Sequence, residues 1–257
     1  MIYIRLLATL LFLLSVNFAI LAQKTTKIKV VTDELLGEFV LVKGGEFVMG
    51  CTDDQGDCKN WDYFQNDSNS MHFSVNSFYL AKTEVTQRQW QSVMGSNPSF
   101  HNCPDCPVEN INNYDIEAFL EKLNKKSKRK YRLPTVFEWE YAARGGNMDE
   151  KSMFPGSDDL NLVAWNIKNS NISTHPVAQK LPNELGLFDM AGNVSEICLK
   201  DKNYINVNFK SHKGGSYISN TYECKIGYLE PIYYYDVPPN EYYFDFGIRL
   251  LMEVKKN

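Results

Sequence analysis

The stretch Tyr131-Arg-Leu-Pro-Thr-Val-Phe-Glu-Trp-Glu-Tyr-Ala-Ala-Arg144, closed by Gly145-Gly146, carries both a start and a stop signal for a helix. Thr135 offers an N-cap hydroxyl, and Glu138 three residues on completes a capping box. The paired glycines supply the stop. Upstream, Asp115-Ile-Glu-Ala-Phe-Leu-Glu-Lys-Leu-Asn124 sets Ile116, Phe119, Leu120 and Leu123 on one face of a second helix. The basic run Lys125–Lys130 after it reads as a solvated helix end. Glu84-Val-Thr-Gln-Arg-Gln-Trp-Gln-Ser-Val-Met94 also has helical spacing, starting at Val85 or Thr86, with Asn97-Pro98 as its terminator.

Further out, Phe39–Gly50 reads as two short strands around a Gly44-Gly45 turn, and His72–Leu80 alternates as a half-buried strand does. Residues 51–70 are a polar loop. From residue 147 on the chain is loop-rich with short apolar runs. No tandem repeat or flexible linker divides it. The expectation is an α+β protein, low in regular secondary structure, with residues 24–37 as an extended lead-in and 38–254 as one domain.

The composition is that of a globular core, with 44% hydrophobic residues and enough aromatics, 13%, for large rings to dominate the packing. The net charge of −4 gives no basic face for nucleic acid. Met1-Ile-Tyr-Ile-Arg5, the apolar run Leu6–Leu14 and small residues at Ala19 and Ala22 have the layout of a signal peptide over 1–23, cleaved near Ala22 or Gln23. The apolar run is short for a spanning helix and Asn17 interrupts it, so no membrane span is expected after cleavage. The expected location is secreted or periplasmic, in the cell envelope. No cysteine near the cut provides a lipid anchor.

All six cysteines, at 51, 58, 103, 106, 198 and 224, lie after that segment. An even count in an exported chain favours disulfides, with a zinc site from Cys51/Cys58 and Cys103/Cys106 as the alternative. The four histidines, 72, 101, 175 and 212, show no paired metal spacing.

Six segments together resemble the formylglycine-generating enzyme, or sulfatase-modifying-factor, family. They are Gly45–Gly50, Lys82–Trp90, Arg132–Gly146, Asn183-Glu-Leu-Gly-Leu-Phe-Asp-Met-Ala-Gly-Asn-Val-Ser-Glu196, Gly214-Gly-Ser216 and Phe246-Gly-Ile-Arg249. The resemblance implies the sulfatase-modifying-factor fold with a C-type-lectin-like core, often holding calcium. The founding enzymes oxidise a client cysteine to formylglycine using copper and dioxygen.

In those enzymes two cysteines after Gly-Gly-Ser hold Cu(I). By resemblance they fall on Ser219 and Cys224, so one thiolate is replaced by a hydroxyl, which suits that soft ion poorly. Ser195 stands where the family has a tryptophan. Ser216, Ser219 and Cys224 are the candidate catalytic residues, but copper and strict cysteine-to-formylglycine oxidation are not expected. Cys224 is expected to pair with Cys198, the alternative being a lone reactive thiol. Cys51–Cys58 and Cys103–Cys106 are then local pairs, with cross-pairing among the four left open.

The segment Asp189–Glu196 resembles a calcium loop of the family, with Asp189, Asn193, Val194 and Glu196 as metal ligands. A turn with solvated acids is the alternative. The Tyr-dense stretch Tyr228–Phe244 offers either core packing or a binding face for a protein or glycan ligand. Two functions follow: an altered family-type oxidoreductase, or a non-catalytic ligand-binding or envelope-assembly module.

Overall fold

In Phe39-Val-Leu-Val42 successive side chains point to opposite faces, as a strand's pleat requires. Phe39 and Leu41 join one hydrophobic core, and Val40 and Val42 join another. The computed structural model, which describes residues 28–50, 52, 72–148, 151–199, 210–228 and 240–254, shows that this alternation organises the molecule. Its strands are β1 (Val30–Asp33), β2 (Gly37–Val42), β3 (Gly45–Val48), β4 (His72–Val75), β5 (Phe78–Ala81), β6 (Tyr131–Arg132), β7 (Ser195–Leu199), β8 (Lys210–Lys213), β9 (Phe246–Gly247) and β10 (Leu251–Glu253). Its helices are α1 (Gln87–Met94), α2 (Asn113–Lys126), α3 (Val136–Ala143) and the single turn α4 (Leu160–Val163).

A five-stranded antiparallel sheet of order β1-β2-β5-β10-β6 separates the two cores. Tyr79, Ala81 and Met252 face α1 and α2, where Trp90 stacks on Phe119 with centroids 4.6 Å apart. Leu80 and Leu251 face α3 and its Trp139. A third cluster gathers Phe154, Leu160, Val163, Ala164, Ala191 and Cys224. Two smaller sheets complete the described fold: the antiparallel pair β3-β4, and β8-β7-β9, in which β7 and β9 run parallel. The mixture of a few short helices with several small sheets is the α+β fold expected.

Local chemistry accounts for the helix starts. Thr86 with Gln89, Asn112 with Asp115 and Thr135 with Glu138 each form a complete capping box. Elsewhere the structure corrects local expectations. α1 stops at Gly95, left-handed with φ 89°, before Asn97-Pro98 is reached. Tyr131 and Arg132 are strand, paired with Met252 and Leu251, and Pro134 keeps Leu133 out of the helix that follows. The two strands around Gly44-Gly45 pair with different sheets, and His72–Leu80 is two strands broken at Asn76-Ser77. Residues Val30–Asp33 of the lead-in form the edge strand of the main sheet. The signal segment, Cys51, Cys58 and most of the Tyr-dense stretch lie outside the described residues. No described helix is long and apolar enough to cross a membrane.

Candidate functional site

The segment 189–196 is pinned from inside the protein. Trp139, carried by α3, donates its Nε1–H to Glu196 Oε2 at 2.6 Å. Arg249 reaches both Glu196 oxygens, donating to Oε1 from Nη2 at 2.6 Å and Nε at 2.9 Å and to Oε2 from Nε at 3.0 Å, and donates further to the carbonyls of Ala81 and Phe188. Glu84 accepts from Asn193 Nδ2 at 2.9 Å and from the Val194 N–H at 3.2 Å. Asn193 Oδ1 accepts from the His175 N–H, and Asp189 Oδ2 from the Ala178 N–H. Asp189 Oδ1 is buried without a partner among the described residues.

Three carboxylates therefore surround one guanidinium, all buried. Burial pushes Glu84 well above the ordinary carboxylate range, and the charges of Asp189 and Glu196 push it further. Asp189 is pushed up to about 6 by burial, against the opposing Ala178 hydrogen bond and Arg249. The four residues assigned to calcium do come together, but they do not fit a cation cage. Both Glu196 oxygens are taken by Arg249 and Trp139, and the Asn193 amide oxygen is taken by a backbone N–H. Calcium wants six to eight free oxygens, and no described cluster of three or more His, Cys, Asp or Glu could hold a metal ion.

Beside this network lies a cleft of about 330 Å³ lined by residues that include Ser195, His212, Gly214, Ser219, Asp245 and Phe246. Gly214 and Gly215 have φ of 91° and 69°, so the bend after β8 uses the left-handed region. Ser216 Oγ donates to Asp245 Oδ2 at 2.8 Å and lies 3.4 Å from Ser219 Oγ. Lys213, the last residue of β8, turns inward: its Nζ meets Glu140 Oε2 at 2.9 Å and the carbonyls of Ile226 and Tyr228.

Cys224 is 1% exposed and sits behind Gly215, where an added Cβ would meet its Sγ at 3.0 Å. Burial pushes the Cys224 thiol up to about 12, with Glu223 adding to the shift. The expected Cys198–Cys224 disulfide does not form, and both thiols are free. Cys198 packs in the core with Trp139, whereas Cys224 packs in the third cluster. Cys103 and Cys106 are bonded to each other, which removes both cross-pairing and zinc binding for that pair. One hydroxyl and one buried, protonated thiol do not fit copper(I), which needs two thiolates.

A family model for the sulfatase-modifying factor enzyme 1-like domain matches residues 24–254. The chain belongs to this family. The domain is 30% identical over 244 residues to the "Chaperone protein LppX" of Paenibacillus barcinonensis, covering 74% of this chain and 82% of that protein. It is 31% identical over 128 residues to the formylglycine-generating enzyme of Streptomyces coelicolor, covering 44% of this chain and 38% of that one. Among solved structures it resembles Treponema denticola variable protein 1, with a TM-score of 0.66 and 27% identity, covering 90% of this chain and all of that one. Of the three candidate catalytic residues, Ser216 and Ser219 are neighbours, whereas Cys224 lies behind Gly215 in the third cluster. Glu84, Glu109, Asp245 and the role of Arg249 were not legible. The signal for Arg249 was a charge inside the apolar run Ile248-Arg-Leu-Leu-Met252, since such a residue is buried only when paired.

Proposed function

We propose that this sulfatase-modifying-factor domain has lost cysteine-to-formylglycine oxidation and works, outside the cytoplasm after removal of residues 1–23, as a non-catalytic ligand-binding or envelope-assembly module. One observation carries the reading: the Cys224 thiol is buried and protonated, and by the family resemblance the other copper thiolate falls on the Ser219 hydroxyl. The cleft is what remains for a ligand. Tyr228 and Tyr243 line it, and nearby Tyr242 and Phe244 are more than half exposed, a surface suited to a protein or glycan partner. The similarity to a protein named a chaperone supports an assembly role.

The reduced protein is incubated with Cu(I), oxygen and a cysteine-containing peptide, and copper binding and peptide aldehyde are measured. The expected result is neither tight stoichiometric copper nor aldehyde, with Ser219→Cys gaining copper affinity. Aldehyde formed by the unmodified protein would overturn the reading. The binding half is tested by refolding a chemically unfolded exported enzyme from the same source. The wild type should raise the yield and a Tyr242→Ala/Phe244→Ala variant should not; equal yields with and without the protein count against assembly.

A further inference from the structure

The turn Cys103-Pro-Asp-Cys106 takes no part in the buried network or the cleft. We propose that its disulfide is redox-active and exchanges with dithiols of unfolded polypeptides. This does not depend on what the cleft binds.

Access is one-sided. Cys103 is half-buried between exposed Asn102 and exposed Pro104-Asp105, while Cys106 is 1% exposed. An attacking thiolate therefore reaches the Cys103 sulfur, and Cys106 is the leaving group. Phe100, 77% exposed and three residues upstream, offers an apolar contact for a polypeptide substrate.

The turn is held by contacts that do not need the sulfur–sulfur bond. Gln87 Oε1 accepts from the Cys103 N–H at 2.9 Å, and Gln87 Nε2 donates to the carbonyls of His101 and Pro107. The first N–H groups of α1, from Gln87 and Arg88, donate to the carbonyls of Cys106 and Pro104, both at 2.9 Å. A bond that closes so short a loop adds little chain-entropy stabilisation, and a turn held by Gln87 stays in place when it opens.

The reduced state has a partner waiting. Cys106 Sγ lies 3.9 Å from the Thr174 carbonyl, to which a thiol could donate.

The exchange balances in two steps. One substrate thiolate attacks Cys103 Sγ. The Cys103–Cys106 bond breaks, and Cys106 leaves and takes a proton. The second substrate thiolate then attacks the substrate sulfur of the mixed disulfide and releases Cys103. Two electrons pass from substrate to protein, and the two protons lost by the substrate dithiol are matched by two gained at Cys103 and Cys106. A low-molecular-weight disulfide, reduced in turn to two thiols, restores the oxidised turn.

The test equilibrates the full chain in glutathione redox buffers, quenches with acid, alkylates, and weighs the peptide holding Cys103 and Cys106. The pair is expected to become reduced within the millimolar glutathione range. A pair still oxidised in about 10 mM reduced glutathione, as structural disulfides are, overturns the proposal. In parallel, Cys106→Ser is offered a cysteine peptide carried as its mixed disulfide with glutathione: the Cys103 thiolate should attack the peptide sulfur, release one glutathione and hold the peptide as a mixed disulfide, and Cys103→Ser should hold none; no adduct on Cys106→Ser counts against the proposal.

Discussion

Glu109 shows how far one side chain can depart from what its neighbours in sequence suggest. Nothing in Pro107-Val-Glu-Asn110 marks it as an interior residue, yet it is 1% exposed. Its Oε1 accepts from the Phe100 and His101 N–H groups, and its Oε2 has no partner among the described residues. Burial pushes its carboxyl up to about 7, with the Asp245 charge adding to the shift. A folded-state pKa above the unfolded value means that the folded state holds the proton more tightly. Stability from this group is therefore present at low pH and lost as pH rises from about 4.5 to 7. Asp189 acts in the same direction over a lower window, up to about 6. Glu109→Gln keeps the accepting oxygen and replaces the unpartnered one with a neutral amide. Its melting temperature is expected to exceed the wild type's at pH 8 and to match it near pH 4, checked by thermal unfolding across that range. Equal melting temperatures at pH 8 would show that Glu109 carries no buried charge.

At the scale of elements, the cap of α3 was legible and the strand partners were not. A capping box is written within four residues, so Thr135 and Glu138 announced the start of α3. That start matters to the site, because α3 carries Trp139 to Glu196 and Glu140 to Lys213. Thr135→Ala should cost about 1 kcal/mol, measured by denaturant unfolding. The loss should appear in the midpoint with the slope unchanged. By contrast, β6 depends on β10, more than a hundred residues away, and nothing in Tyr131-Arg132 names that partner. The same holds for β3 and β4, whose alternation identified strands without identifying the sheet.

For the whole molecule, Arg249 is the tie. Its guanidinium joins Glu196 on β7 to the carbonyls of Ala81 and Phe188, and it offsets the charges around Glu84 and Asp189. Removing one partner of a buried pair leaves an uncompensated charge. Arg249→Met should lower stability by about 3–5 kcal/mol in chemical denaturation and make it fall more steeply with rising pH. A loss no larger than that of a surface substitution would mean that the carboxylates around it are neutral.

The sequence by itself determined the start of α3 at Thr135 and that of α1 near Thr86, the family, and the hydroxyl at position 219. Each depends on residue identity or on short spacing, which the linear chain displays. Only the tertiary structure decided that Cys198 and Cys224 sit in different cores and stay apart, that Arg249 rather than a cation meets Glu196, and that Cys224 lies behind Gly215. These depend on which groups burial brings within a few ångströms of each other. Burial also sets whether a carboxyl or thiol there is charged.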